Sequence, residues 1–225
     1  MPVELHYWNI RGNAEPIRLM MEYLGEEYED VRMEQLAPDF FPKWLEKKSK
    51  LEMEHPTLPY IVDGDTKLSM TLAIMKYLAR KHGKLLPTNE VQEMRCDQGE
   101  GVFVDLRFVF ALNTYNPGFR ENTRKCYEDM LDKLQVLDRA MRGREWMAGE
   151  QLTYIDFGFF EVLDHFEMCF PRCFEDGRVV ALGEYKRRFE GIPAIRKYRT
   201  SGKFVAMPVY SKVAAWGAYE IRKLS

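Results

Sequence analysis

The spacing of hydrophobic and polar residues changes once along the chain. Residues 1–83 alternate short apolar runs with amphipathic stretches, which is the pattern of strands interleaved with helices. Residues 91–225 repeat their apolar positions with the period of an α-helix and contain almost no strand pattern. Residues 84–90, which include Pro87, interrupt both patterns. We therefore predict two domains, residues 1–83 and 91–225, joined by a linker at residues 84–90.

The first domain is predicted to have the element order βαβαββα. Its helix at residues 15–24 carries Pro16 in the first turn, and its last helix, at 71–82, begins with Thr71 as a cap. A loop around Pro38 precedes a short helix at 43–48, and Asp63-Gly64-Asp65 has the composition of a hairpin turn. The predicted strands cover residues 3–8, 28–33, 57–62 and 67–69. The third of these strands is entered through Pro59.

The second domain is predicted to be an all-α helical bundle. Thr153 and Asp156 have the spacing of a capping box, so a helix should begin there. Asn116-Pro117-Gly118 has the residues of a turn between two long helices. The other predicted helices cover residues 91–115, 121–142, 179–190 and 194–198, and the tail at 204–225 has too little period to assign.

Composition excludes several classes of protein. The 225 residues carry a formal net charge of −2, which gives no basic field to attract nucleic acid or an anionic membrane surface. Charges interrupt every apolar stretch before the roughly 18 residues that a spanning helix needs, and we expect a cytoplasmic protein. Its four cysteines lack zinc-site spacing and are predicted to be free thiols, so we expect no metal.

The end of the first strand carries the candidate chemistry. In a thioredoxin-like arrangement the redox cysteines follow this strand, but here the chain reads Tyr7-Trp8-Asn9-Ile10. No thiolate is available there, and dithiol exchange is therefore excluded. A phenol remains beside the Leu58-Pro59 step, and on the residues alone the favoured interpretation of Tyr7 is a half-buried strand residue.

Ordered runs along nearly the whole chain lie at residues 7–12, 15–19, 44–48, 58–65, 73–82, 115–117, 153–157, 188–191, 208–212 and 215–217. In order and spacing they resemble the mu class of glutathione transferases. Each run alone is weak, but their order and spacing make accidental similarity improbable. The resemblance implies glutathione as co-substrate, a cis peptide bond before Pro59 and a homodimer.

The resemblance also implies roles for individual residues. Tyr7 would hold the glutathione sulfur as a thiolate, Tyr115 would assist the electrophile, and Asp105 would reach across the dimer to the ligand's amino group. Glutathione would be bound by Tyr7, Trp8, Trp44, Lys48, Thr57, Leu58, Pro59, Met70, Thr71 and Asp105, with Lys47 nearby. The electrophile pocket would be lined by Trp8, Asn13, Val104, Phe108, Ala111, Tyr115 and Tyr210.

Physical chemistry supports the implied role of Tyr7. A free thiol has a pKa of about 8.5 and is mostly protonated at neutral pH. A phenol that donates a charge-assisted hydrogen bond to the sulfur stabilises the thiolate, and each unit of pKa lowering requires about 1.4 kcal/mol. The resulting nucleophile would attack small apolar electrophiles.

Several residues depart from the mu-class pattern. Met70 replaces a glutamine, Thr57 an asparagine, Asn13 a leucine and Phe41 an arginine. His55 stands where the class inserts an aromatic key into its partner subunit. These departures leave open a second interpretation, a ligand-binding or structural protein with little catalysis on the same scaffold. A glutathione-dependent isomerase or peroxidase, which would use the same thiolate, also stays open.

Overall fold

A four-stranded mixed sheet organises the N-terminal part of the protein. The computed structural model of the chain describes residues 2–35 and 39–218. The strands are β1 (Val3–Trp8), β2 (Tyr28–Met33), β3 (Tyr60–Asp63) and β4 (Thr66–Ser69), and the helices are α1 (Glu15–Leu24), α2 (Phe40–Ser49) and α3 (Thr71–His82). The strand order is β2-β1-β3-β4, with β1 parallel to β2 and antiparallel to β3. The predicted order βαβαββα is confirmed.

The C-terminal part is helical, also as predicted. It consists of α4 (Glu90–Tyr115), α5 (Thr123–Met141), α6 (Tyr154–Cys169), α7 (Val180–Glu190) and α8 (Pro193–Arg199). In the described ranges, no helix combines the length and apolar character that a membrane crossing requires. The predicted loop residues Ala37 and Pro38, and residues 219–225 of the unassigned tail, lie outside the described residues.

Helix α6 forms the centre of the C-terminal core because its whole surface is apolar or internally paired. All but two of its residues are buried, and it packs against α1, α3, α4 and α7. The predicted capping box at its start is present: the backbone N–H of Thr153 donates to Asp156 Oδ2 at 2.8 Å. The other oxygen of Asp156 accepts from the N–H of Met147 at 2.9 Å. Local capping thus also ties the preceding turn to α6.

Two predicted elements begin at the wrong residue by about one helical turn or half a strand, and the other bounds differ by one or two residues or agree. The strand predicted at 57–62 begins only at Tyr60, which pairs with His6 of β1. Pro59 has no N–H to donate to a ladder, and its carbonyl accepts instead from the N–H of Met70 at 3.2 Å. The short helix predicted at 43–48 extends from Phe40 to Ser49. The four cysteines are free and buried, as expected of packing residues.

Candidate functional site

Tyr7 lies near the end of β1, with its side chain only 6% exposed. Its phenolic oxygen accepts a hydrogen bond from the backbone N–H of Asn13 at 3.0 Å. Gly12 lets the chain approach the ring closely, because a β-carbon at that position would lie 2.6 Å from the phenolic oxygen. Since the oxygen uses a lone pair to accept from Asn13, its own proton remains available to a third group.

Electrostatics keep this phenol protonated. Burial raises the pKa of Tyr7 above its ordinary value, and the Asn13 N–H and the positive charge of Arg107 oppose that effect without reversing it. A phenol whose pKa lies above 10 is a hydrogen-bond donor throughout the physiological pH range. Tyr7 can therefore donate to an anion and does not itself act as a base at neutral pH.

The loop at residues 11–13 is fixed from several directions. Arg107 on α4 donates to the carbonyl of Gly12 at 3.0 Å. The backbone N–H groups of Arg11 and Gly12 each donate at 2.9 Å to carbonyls of the 208–209 segment. Sequence reasoning missed Arg107, because nothing in its local sequence connects it with a loop 95 residues earlier. These contacts place the N–H of Asn13 against the phenol.

The predicted role of Thr71 as the cap of α3 is wrong. Thr71 is the first helical residue, and its hydroxyl donates to the carbonyl of Asn13 at 2.8 Å, which adds another tie to the same loop. Among the residues that the structure describes, no side chain caps the start of α3. The first intrahelical bond runs from the N–H of Ile74 to the carbonyl of Met70, so the N–H groups at residues 71–73 have no partner inside the helix. Such an end favours an anion.

Met70 precedes that helix end in a left-handed conformation. Its φ is 75°, which is rare for a residue with a side chain, and the side chain is 58% exposed. Residues held in such conformations cluster at ligand-binding sites because the surrounding structure must impose them. Within residues 2–35 and 39–218, the thioether of Met70 forms no hydrogen bond.

Leu58 offers an unpaired backbone edge next to the phenol. The Leu58-Pro59 peptide bond is cis, as the resemblance implied. Within residues 2–35 and 39–218, neither the N–H nor the C=O of Leu58 has a hydrogen-bond partner. An extended peptide could pair with these groups as an added strand.

Trp8, at the end of β1, contacts Trp44 on α2, and two lysines follow Trp44 on that helix. The Trp8 and Trp44 rings pack edge to face with centroids 6.1 Å apart. The ammonium of Lys47 is 3.4 Å from His6 Nδ1 and lies over the Tyr60 ring, so it is already engaged. Lys48 forms no ion pair with any described carboxylate. Of the two lysines, Lys48 has the charge available for a ligand.

The predicted electrophile residues share one face of α4. Val104, Phe108, Ala111 and Tyr115 recur at helical spacing, and Phe108 is 62% exposed. The Tyr115 ring packs against buried Tyr210 with centroids 5.5 Å apart, and its oxygen accepts from the N–H of Ser211 at 3.1 Å. Half-buried Asn13 lies in the loop that Arg107 ties to α4. The apolar face of α4 therefore adjoins the Tyr7 loop.

Other predicted residues lie at the surface. Asp105 and His55 are exposed, and Thr57 is half-buried. Phe41 is 53% exposed, so it presents an apolar ring where the resemblance expects a cation. A cavity of about 440 Å³ near Lys76, Asn89 and Tyr154 contains none of the predicted site residues in its lining, so it is separate from the Tyr7 site.

A buried ionic network connects the loop at residues 11–13 with helix α6. Arg11 forms a two-point contact with Glu161, at 3.0 and 2.6 Å, and also lies 2.6 Å from Asp164 Oδ2. Three carboxylates at the edge of this network, those of Asp164, Glu167 and Glu190, all contact the ammonium of Lys186. The place between these three carboxylates is thus occupied by a side-chain cation.

Together, the βαβαββα sheet domain, the helical domain and the protonated strand-end phenol define a thioredoxin-like protein of the non-dithiol type. Residues 3–80 match the glutathione S-transferase N-terminal domain family, and residues 105–202 match the glutathione S-transferase C-terminal domain family. The chain therefore belongs to the glutathione S-transferase family.

Full-length relatives agree with this assignment. Glutathione S-transferase 2 of Gallus gallus is 40% identical over 96% of this chain and 98% of its own length. Glutathione S-transferase Mu 1 of Mus musculus is 36% identical over 96% of this chain and 99% of its own length. The crystal structure of the glutathione S-transferase Blo t 8 superposes with a TM-score of 0.84 at 30% identity, covering 95% of this chain and 99% of that one.

Proposed function

We propose that this protein is a glutathione transferase that joins the glutathione thiolate to small apolar electrophiles. The main support for this proposal is the protonated phenol of Tyr7. Its oxygen accepts a hydrogen bond from the backbone N–H of Asn13, so its own proton is available to a bound ligand. Through that proton the phenol donates a hydrogen bond to the glutathione sulfur and stabilises it as the thiolate. The transferase relatives favour this function over the non-catalytic alternative.

Glutathione is proposed to bind along the unpaired edge at Leu58. Its cysteinyl backbone pairs with the N–H and C=O of Leu58, as an added strand would. Its γ-glutamyl carboxylate sits at the uncapped start of α3, near Met70 and Thr71, where backbone N–H groups favour an anion. The glycine carboxylate meets the free charge of Lys48. Trp8, Trp44, Thr57 and Pro59 complete this proposed site.

The electrophile is proposed to lie between the Tyr7 loop and α4. The apolar side chains of Val104, Phe108 and Ala111 suit an aromatic or unsaturated ligand. Tyr115 is proposed as the catalytic residue that hydrogen-bonds oxygen on the electrophile, because its hydroxyl proton is free while its oxygen accepts from Ser211. Trp8, Asn13 and Tyr210 form the remaining wall.

We further propose a mu-class, cytoplasmic homodimer. Asp105 is exposed and forms no ion pair with the residues that the structure describes, so it is free to reach a ligand bound by a second copy. Exposed His55 would contact the partner. Sedimentation equilibrium that gave a single species of 26.6 kDa at micromolar concentration would rule the dimer out.

Retention and turnover together test the proposed function. The protein is expected to bind immobilised glutathione, to elute with free glutathione, and to conjugate glutathione to 1-chloro-2,4-dinitrobenzene well above the uncatalysed rate. Retention without turnover would contradict catalysis and support a ligand-binding protein. Failure to be retained, with no turnover, would contradict the glutathione site itself.

Met70→Gln is expected to tighten glutathione binding about fivefold, because a restored side-chain amide adds roughly 1 kcal/mol of net hydrogen bonding. The side chain is exposed and precedes the first turn of α3, so a polar group of similar length fits without repacking. Isothermal titration calorimetry measures the change. Met94→Gln is the matched control, since Met94 is 63% exposed on α4 outside the proposed site, and its affinity should equal that of the unmodified protein. Equal affinity of both variants would place the γ-glutamyl group elsewhere.

A further inference from the structure

The turn between α5 and α6 is surrounded by arginines. Arg95 on α4 donates to the carbonyl of Ala148 at 3.2 Å, and Arg144, which follows α5, reaches the carbonyl of Met147 at 3.5 Å. Adjacent residues supply the two acceptors, so the two guanidinium groups contact successive peptide groups of this turn. Trp146, Met147 and Ala148 are themselves buried, which leaves both arginines half-buried and partly desolvated.

No carboxylate neutralises these two charges. In the described part of the chain, neither Arg95 nor Arg144 forms an ion pair, although exposed Glu145 and Glu150 flank the turn. Burial lowers the pKa of Arg144, the charge of Arg95 lowers it further, and no acidic group opposes them. Each guanidinium uses one of its five N–H groups in these contacts, so most of their donors remain unpaired.

Gln92 adds a third, neutral donor at the same place. Its Oε1 accepts from both the N–H and the hydroxyl of Thr88, at 2.9 Å each, which turns its amide nitrogen the other way. A β-carbon placed on Gly149 would lie 3.5 Å from Arg95 Nη1 and 3.7 Å from Gln92 Nε2. Gly149 has no such carbon and has a φ of 148°, so the backbone leaves these donors room.

We propose that Arg95, Arg144 and Gln92 form a binding site for a phosphate-type oxyanion, distinct from the glutathione site. An oxyanion with several acceptor oxygens would neutralise the two like charges and accept from the planar guanidinium groups, which match phosphate geometry. The same chemistry admits free phosphate or the terminal phosphate of a small molecule. This site does not depend on the proposed enzymatic function, because none of its residues belongs to the Tyr7 site.

Calorimetric titration at constant ionic strength in a phosphate-free buffer tests the site. Inorganic phosphate and glycerol 3-phosphate are the probes, and acetate, with a single charge and two oxygens, is expected to bind more weakly than either. Binding of both phosphates would indicate a site open to phosphate esters, and binding of inorganic phosphate alone would restrict the site to the free ion. Absence of binding by both at millimolar concentration would overturn the proposal.

Variants locate the site. Arg95→Gln and Arg144→Gln should each weaken phosphate binding by about tenfold or more, because each removes a charged donor. Arg188→Gln is the matched control: Arg188 donates to the carbonyl of Glu145 in the same turn, at 2.6 Å, but stacks over Trp146 and has no part in the Arg95–Arg144 pair. Equal weakening in all three variants, or in none, would contradict the assignment.

Thermal unfolding separates an anion site from a merely structural clamp. Without phosphate, Arg144→Gln should unfold at the same or a higher temperature than the unmodified protein, because it relieves the repulsion from Arg95. Phosphate should raise the unfolding temperature of the unmodified protein more than that of Arg144→Gln. A variant that unfolds at a clearly lower temperature without phosphate would mean that the arginines serve only to hold the turn.

Discussion

Replacing Tyr7 by phenylalanine is expected to slow glutathione conjugation by about 10- to 100-fold, because a hydrogen bond to a charged group contributes roughly 1.5–3 kcal/mol. The loss should appear in kcat/KM, with the dissociation constant for glutathione changed only a few fold, since backbone groups and cations hold the rest of the tripeptide. The pH profile supplies the sharper test. Without the phenol, the apparent pKa of the bound thiol should rise toward the value of about 8.5 for a free thiol.

Tyr115→Phe is the natural comparison for this variant. Tyr115 also presents a phenol to the site, but its oxygen accepts from Ser211 and its ring packs on Tyr210. With 1-chloro-2,4-dinitrobenzene, which has no oxygen that needs a donor at the reacting carbon, its removal should leave the thiol pKa unchanged. If the two variants show the same pH profile, or if Tyr7→Phe turns over normally, Tyr7 does not bind the sulfur.

Replacing Arg11 by methionine is expected to lower the free energy of unfolding by about 3–5 kcal/mol, the cost of breaking a buried ion pair from one side. Arg11 and Glu161 are both almost fully buried, so the carboxylate left behind cannot be solvated. Urea unfolding measures the change. Lys50→Gln is the control, because Lys50 and Glu46 form an exposed pair, and its unfolding should match that of the unmodified protein.

The same network gives the protein a defined acid sensitivity. Burial alone would raise the pKa of Glu161, but Arg11 and His165 outweigh it and hold that pKa at about 2, below the ordinary value of 4.5. Arg11, Arg199 and Lys186 likewise hold the pKa of Asp164 well below its usual range. Carboxyl groups with lowered pKa values stabilise the folded state above their unfolded pKa and lose that contribution as the pH falls. Stability should therefore decline from about pH 4.5 toward pH 2, and the Arg11→Met variant should show a flatter decline.

The buried network and the phenol are physically connected. Arg11 is held by Glu161 and Asp164 from α6, while its own N–H and that of Gly12 are held by the 208–209 segment. Asn13 follows Gly12 in the chain, and its backbone N–H donates to the phenolic oxygen of Tyr7. The helical domain thus positions the loop at residues 11–13 of the sheet domain, which gives the buried charged residues a structural role.

Local patterns in the sequence were sufficient for most of the secondary structure. Helices α1 and α3 and strands β1 and β2 have the predicted bounds, because apolar period, an early proline and glycine ends act over a few residues. The capping box at Thr153 and Asp156 was predictable for the same reason. The start of β3 was not predictable in this way. A proline indicates the edge of a strand, but it does not determine whether the hydrogen-bonded ladder begins before or after it.

The sequence by itself determined the two-part architecture, the family, and Tyr7 as the residue at the first strand's end, since these depend on short patterns and their order. Only the tertiary structure decided how the site is held together. Arg107 donates to the carbonyl of Gly12, and Thr71 donates to the carbonyl of Asn13 in place of capping its helix. Arg11 donates to the carboxylate of Glu161, which lies 150 positions later in the chain. Folding sets these pairings by bringing distant backbone and charged groups to one place, where each buried polar group must find a partner, and no local pattern records which partner it will be.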